Sequence, residues 1–212
     1  NVIQPHEINR PVFSIFTTCF KSYDYIVTAY ESIKKQTLID WEWVIIDDTS
    51  EDRHFDFLRS VLSPDNRVRL YKRDKNSGNI GNVKNEVISL CRGKYVLEMD
   101  HDDELLRDCL LDAYTLFQSD DNIGFVYGDT IHLYRDGRNF NYGDFICKGY
   151  GGYYSQKYND KWLLVYITPN INNITMSHLV CCPNHPRIWR RETLMQMGSY
   201  CEYLPICDDY EI

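Results

Sequence analysis

The chain has 212 residues, is 43% hydrophobic and 25% charged, and carries a formal net charge of -8. Such a composition excludes a fibrous or disordered chain and fits one large α/β domain. A nucleic-acid partner is not expected, because no basic face is visible, and no apolar run is long enough to span a membrane. The 8 cysteines are scattered, without a Cys-x-x-Cys pair. That reads as small buried side chains in a reducing, cytoplasmic compartment. Opening on Asn1 and stopping at Ile212 without a tail is compatible with a piece of a longer protein.

In chain order, Val12 to Thr18 is a short β-branched apolar run and reads as a buried strand. Tyr25 to Gln36 puts Ile26, Tyr30 and Ile33 on one face and Glu31, Lys34 and Lys35 opposite, an amphipathic helix. Trp41 to Asp48 is a second strand ending in two acids. A helix from Arg53 to Leu62 follows, closed by Ser63-Pro64, then a third strand from Arg67 to Arg73. "NSGNIGN" is a loop with two glycines, continued as a helix from Val83 to Cys91. Lys94 to Asp100 is the fourth strand, Leu106 to Gln118 a helix, and Ile123 to Asp129 the fifth strand. Alternating strands and helices predict a mainly parallel sheet with helices on both faces. After Asp129 the rhythm breaks. Ile131 to Gly143 reads as a hairpin around Asp136-Gly137. "GYGGYYSQKYNDKW" shows no period, and "HPRIWRRETLMQMG" offers a strand and a short helix. The whole chain, 1–212, is read as one domain with a nucleotide-type half, 1–129, and an irregular half, 130–212.

Ligands of open parallel sheets sit beyond the carboxyl ends of the strands. There the strands deliver Thr17 and Thr18, then Asp47 and Asp48, then Asp100, Asp102 and Asp103, then Asp129. The acidic run after the fourth strand has two readings. Its carboxylates can cap the next helix, or hold a hard divalent cation, Mg2+ or Mn2+, against a ligand's phosphates. An EF-hand is excluded, since Leu105 and Leu111 stand where its Gly and Glu belong. The Gly78/Gly81 loop lacks dinucleotide spacing and reads as a helix-start turn, although Lys84 and Asn85 behind it can face the cleft. Arg190 and Arg191 are either solvated, with packed stems, or paired with phosphate. His185 reads as a hydrogen-bonded loop histidine. Asp208 and Asp209 are an exposed acidic turn, or place a base across the cleft.

In order, "SIFTTCFKSYDY", "WVIIDDTSED", "NSGNIGNVKNE", "GKYVLEMDHDD", "HPRIWRRETL" and "GSYCEYLPICDDYEI" resemble the family 2 glycosyltransferases, from Val12 to the end. The resemblance implies the α/β GT-A fold, with a smaller irregular acceptor-side sheet. It also implies inverting transfer of a sugar from a nucleotide-sugar, usually a UDP-sugar, to a glycan, protein or lipid hydroxyl. By the same resemblance Thr18 and Asp48 hold the base, with Lys84 and Asn85 beside the nucleotide. Asp100 contacts the ribose or metal, Asp102 leads the metal ligands, and Asp103 joins it. Arg190 and Arg191 lie near the diphosphate, Asp208 and His185 near the acceptor, and Asp209 is the general base. The sequence departs from the family at Cys19-Phe20, for the commoner Tyr-Asn, and at Asp208, for Glu. Two rivals stand beside this reading. One is a domain that only binds nucleotide-sugar. The other is a sugar nucleotidyltransferase, whose Gly-rich basic loop "TTCFKSYDY" does not match. Membrane association is expected only through parts outside this chain. The segment from Tyr142 to Val180 is expected to shape the acceptor side, with Tyr150, Tyr153, Tyr154, Tyr158 and Trp162 mostly packing.

Overall fold

A computed structural model describes residues 10–62, 64–143, 151–179 and 182–204. Its larger sheet is built from β1 (Phe13–Cys19), β2 (Trp41–Asp47), β3 (Val68–Lys72), β4 (Tyr95–Glu98), β5 (Phe125–Tyr127) and β9 (Arg187–Arg190), in the order β3-β2-β1-β4-β9-β5. Crossovers run through α1 (Ile26–Lys34), α2 (Asp52–Leu62), α3 (Ile80–Leu90) and α4 (Cys109–Ser119). β2 is buried at every position because helices cover both sheet faces. Trp43 and Ile45 point into one core layer with Ile26, Ile33, Leu58, Leu62, Leu110 and Phe117. Val44 and Ile46 point into the other, with Val83, Val87, Ile88, Trp189 and Leu194. The expected alternation is therefore present, and α1, α2 and α4 lie on the face opposite α3 and α6 (Arg191–Gln196).

Three features differ from the sequence reading. β9 is antiparallel and sits between β4 and β5. α4 starts at Cys109, so Asp100, Asp102 and Asp103 precede it in a separate turn and do not cap it. Within that turn the Asp103 amide donates to the Asp100 carbonyl at 3.3 Å. The period-free Gly/Tyr segment contains a regular hairpin, β7 (Gly152–Tyr158) and β8 (Lys161–Ile167). Its turn residues Asn159 and Asp160 both have positive φ, 44° and 64°, as a two-residue type I′ turn requires. With β6 (Thr130–Ile131) they form a smaller antiparallel sheet in the order β6-β8-β7. The Asp136-Gly137 hairpin forms as expected, the Tyr134 amide donating to the Arg138 carbonyl at 2.8 Å. A short α5 (Asn173–His178) precedes β9.

Asp129 joins the two sheets: its carboxylate accepts the Thr168 amide at 2.9 Å just beyond β8. Among the described residues no helix is long and apolar enough to cross a membrane. Cys19, Cys91, Cys109, Cys182 and Cys201 are free thiols; Cys147, Cys181 and Cys207 lie outside the described residues.

Candidate active site

The carboxyl ends of β1, β2 and β4 are stitched together by side chains. The Thr17 hydroxyl donates to the Met99 carbonyl at 2.7 Å and accepts the Trp43 indole N–H at 2.9 Å. At the end of β2, fully buried Asp47 accepts the Thr49 amide at 2.9 Å and meets His54 Nδ1 at 2.8 Å. His54 Nε2 lies 2.8 Å from the Ser22 amide. An amide can only donate, so Nε2 carries the lone pair and Nδ1 the proton. This relay ties the loop after β1 to the loop after β2. Asp48 follows. Its carboxylate accepts Ser77 N–H at 2.9 Å and Asn76 Nδ2 at 2.9 Å, and pairs with Arg73 at 3.1 Å. Burial pushes the Asp48 carboxyl up, against the pull of the Ser77 amide and Arg73. Asp48 thus fixes the start of the "NSGNIGN" loop, and Asn79 caps α3 by accepting the Asn82 amide at 2.9 Å, the helix-start turn the sequence predicts.

At the end of β4 lies a cluster centred on Glu98, which is 2% exposed. Glu98 Oε1 faces Lys84 Nζ at 2.7 Å, and Oε2 accepts the Tyr200 hydroxyl at 2.7 Å and meets Arg187 Nε at 3.0 Å. Lys84 and Arg187 are 5% and 8% exposed, so both cations are buried beside Glu98. Burial opposes the charge on Glu98, but Arg187, His185 and Lys84 outweigh it and hold the carboxyl well below its usual range. Arg187 Nη2 lies 2.7 Å from His185 Nε2. The opposite ring nitrogen, Nδ1, lies 3.2 Å from Asp103 Oδ2 and 3.6 Å from Asp100 Oδ2. Burial works against charge on His185, but Asp103 and Glu98 prevail and raise it to about 10. Burial, with repulsion from Glu98 and Asp103, pushes the Asp100 carboxyl up.

Ligand atoms of Glu98, Asp100 and His185 lie within 4.8 Å of one another. Glu98 already faces Lys84 and Arg187, whereas the Asp100 and Asp103 side chains are 46% and 47% exposed. The two half-exposed carboxylates of Asp100 and Asp103 fit a divalent cation such as Mn2+. His132 closes this side: its Nε2 lies 3.0 Å from Asn184 Nδ2, and burial pushes its ring down.

The residues singled out from sequence fall in different places. Asp48, Asp100, Asp103 and His185 gather at the carboxyl edge, and Thr18 lies half-buried at the end of β1 in register with Ile46. Asp102 is exposed in the turn. Lys84 points to Glu98 rather than into the cleft. Asn85 is a clamp: its amide donates to the Tyr200 carbonyl and to Glu202, each at 2.9 Å, and accepts the Tyr200 amide at 2.9 Å. Arg190 and Arg191 are not brought to the cleft. β9 runs antiparallel, so Arg190 pairs with Tyr95 at the opposite end of β4, donates to the Ile123 carbonyl at 3.1 Å and lies against Phe117; the Arg191 amide donates to the Lys94 carbonyl. Arg187 is the arginine at the carboxyl edge, and sequence reasoning missed it together with Glu98 and His54. A lone glutamate inside the apolar run "YVLEM" was the available signal, since a buried charge requires a partner. Asp208 and Asp209 lie outside the described residues.

A family model described as "Glycosyl transferase family 2" matches residues 14–198. The chain belongs to this family. Its similar relatives include a chondroitin synthase from Escherichia coli, 33% identical over 140 residues, which cover 66% of this chain and 19% of that protein. A hyaluronan synthase from Pasteurella multocida is 28% identical over 149 residues, 70% of this chain and 14% of the relative. The chain thus spans under a fifth of the length of these relatives. Staphylococcus aureus TarS 1–349 in complex with UDP-GlcNAc superposes with a TM-score of 0.60 at 19% identity, over 93% of this chain and 51% of TarS. The mannosyltransferase PcManGT from Pyrobaculum calidifontis, in complex with GDP-Man and Mn2+, gives a TM-score of 0.62 at 16% identity, over 95% of this chain and 50% of that one. Both likenesses support the GT-A fold, a mostly parallel sheet with a smaller antiparallel one.

Proposed function

We propose that this family 2 domain transfers a sugar from a UDP-sugar to an acceptor hydroxyl with inversion, in a divalent-cation-dependent reaction. One observation carries the cation requirement. Lys84 and Arg187 are buried beside Glu98, whereas the acids Asp100, Asp102 and Asp103 are half-exposed or exposed. A nucleoside diphosphate is repelled by such a surface unless a divalent ion stands between them. A bound Mn2+ or Mg2+ would neutralise the diphosphate and the charge developing on the leaving group. Asp100 and Asp103, whose carboxylates face His185 Nδ1, are the groups suited to hold it, and family resemblance adds Asp102. Asp48 and Thr18 stand at the ends of adjacent strands and suit the base of the donor, with UDP and UDP-GlcNAc complexes of TarS as support for its class.

The general base is assigned to Asp209. The preceding segment is fastened to α3: Asn85 holds Tyr200, and the Asn79 amide donates to the Glu202 carbonyl at 2.7 Å. Asp209 would take the proton from the acceptor hydroxyl as it attacks the anomeric carbon on the face opposite the leaving diphosphate. One such displacement inverts configuration and needs no covalent intermediate. The acceptor is assigned to the side of the smaller sheet, near His185 and Asp208, and its class is a glycan, as the polysaccharide synthases among the relatives suggest. Free thiols at five described cysteines go with a cytoplasmic setting.

Titration calorimetry with UDP, GDP and CDP, each with and without Mn2+, tests the donor site. UDP binding that needs Mn2+ and disappears in Asp102→Ala is the expected result. Binding indifferent to Mn2+ refutes the cation requirement, and no binding of any nucleotide refutes the donor site. Asp209→Asn should abolish transfer while UDP binding persists; retained transfer removes Asp209 as the base.

A further inference from the structure

We propose that Glu98 is a positioning residue for the cation site: the buried carboxylate that orients the His185 ring toward Asp100 and Asp103. The inference rests on the cation reading above. It starts from an oddity of placement. Glu98 ends β4 and Asp100 lies two residues beyond it, and both carboxylates face His185. Asp100 is half-exposed, whereas Glu98 is 2% exposed. A carboxylate so buried is costly unless fully paired, and here its partners come from three separate parts of the chain: Lys84 on α3, Arg187 on β9 and Tyr200 beyond α6.

Of these partners, Arg187 also reaches the ring of His185. Arg187 touches Glu98 through Nε at 3.0 Å and His185 Nε2 through Nη2 at 2.7 Å. Glu98 Oε1 itself is 3.6 Å from the same Nε2. The inner nitrogen of the ring is thus held from behind, and the outer one, Nδ1, is aimed at Asp103 and Asp100. A guanidinium only donates, so Nε2 accepts from Arg187, and Nδ1 carries a proton that faces Asp103 and Asp100. Glu98 acts on the ring through Arg187, whose Nε it holds at 3.0 Å. A hydrogen-bonded partner behind ligating carboxylates fixes their orientation, and His185 stands so behind Asp103 and Asp100.

The sheet supplies a matched control at its other edge. Glu42 is likewise 2% exposed and saturated, by Ser14 at 2.6 Å, Arg92 at 2.7 Å and Arg69 at 3.0 Å. It lies near the start of β2, away from the cleft. Glu98→Gln and Glu42→Gln remove the same charge from the same kind of ion-pair hub, and only the first stands behind His185.

The test is the Mn2+ affinity of the intact chain with UDP present, read from the free-Mn2+ paramagnetic resonance signal, with thermal melting alongside. Glu98→Gln should weaken Mn2+ binding about 10–100-fold, while Glu42→Gln should melt earlier with Mn2+ affinity unchanged. Arg187→Lys, which keeps the charge and loses the fork, should also weaken Mn2+ binding, and covers the case in which Glu98→Gln does not fold. Wild-type affinity in folded Glu98→Gln or in Arg187→Lys, with only stability lost, overturns the inference and leaves the cation reading standing. UDP binding by wild type that ignores Mn2+ overturns both, and is visible before any variant is made.

Discussion

Replacing His54 with leucine tests whether the loops at the nucleotide edge are held by the relay beneath them. Leucine keeps most of the volume and removes both ring nitrogens. The Ser22 amide then loses its acceptor, and Asp47 keeps only the Thr49 amide on Oδ1. Both groups are buried, Asp47 completely. An unsatisfied buried amide costs about 1–3 kcal/mol and a lost hydrogen bond to a charged group about 1.5–3 kcal/mol. The sum, allowing for partial water access at a loop, is about 3–5 kcal/mol. For a domain of this size each kcal/mol is about 2–4 °C of melting temperature, so a fall of about 6–20 °C is expected. Urea unfolding gives the free energy directly. UDP affinity should fall as well, because Ser22 follows the strand that carries Thr18, and Thr49 follows Asp48. A loss under about 1 kcal/mol, with UDP affinity intact, would mean that the bonds to His54 are replaced by water and that the relay does not hold the loops.

Three further outcomes follow from the same structure. Burial raises the Glu42 carboxyl, but Ser14, Arg92 and Arg69 overcome this and leave it lowered; its stabilisation is present above the unfolded value of about 4.3 and is lost as pH falls through the lower folded value. Urea melts between those limits should show a shallower fall of stability with acid in Glu42→Gln, by up to about 1.4 kcal/mol per pH unit, and an unchanged slope refutes the ion-pair assignment. Asn85→Ala should lower stability by about 1–3 kcal/mol through the freed Tyr200 amide and carbonyl, with UDP affinity retained in calorimetry; the reverse pattern would make Asn85 a nucleotide contact after all. Asp160→Gly should raise stability by about 0.5–1 kcal/mol, because Asp160 sits at φ 64° where glycine carries no steric cost, and a loss on urea unfolding would refute the turn assignment.

The first half of the fold was legible because its central strands β1, β2 and β4 are buried on both faces and each helix on one. Periodicity reports that difference, as in the continuous apolar run of β2 against the spaced Ile26, Tyr30 and Ile33 of α1. β7 and β8 escaped for the opposite reason. Their sheet is half-exposed, Trp162 and Tyr154 being 66% and 42% exposed, so no alternation of apolar and polar residues marks a face. The Asn159-Asp160 pair was the sole local signal, a turn without glycine. For Tyr153 the packing reading holds: its ring lies 5.6 Å from that of Tyr166, and the Tyr142 amide donates to its hydroxyl. Trp162 remains outside that cluster. At the site, acids were legible because they end strands. Their cations were not, because Lys84 and Arg187 reach Glu98 from sequence positions whose contact depends on the order of strands.

The direction of β9 decides which chemistry meets at the cleft. Strand ends supply acids: Asp47 and Asp48 at the end of β2, Asp100 and Asp103 after β4, and Asp129 after β5. A sheet with only parallel strands would bring nothing but such ends to this edge, and β4 and β5 would place their acids side by side. β9 pairs antiparallel with both, so it brings its beginning to the edge, between two acidic ends. That beginning carries His185 and Arg187, while its far end takes Arg190 to Tyr95 and Arg191 to Lys94. Three arginines in one short stretch are therefore not interchangeable. Register alone assigns Arg187 to the anionic cluster and the other two to the opposite edge. Moving the charge along the strand, by Arg187→Leu combined with Ile188→Arg, would turn the cation to the other sheet face, since neighbouring residues alternate. The net charge would be unchanged and Glu98 would lose its partner. A cation site built by this register must then lose Mn2+-dependent UDP binding, whereas a site that depends only on local net charge would keep it.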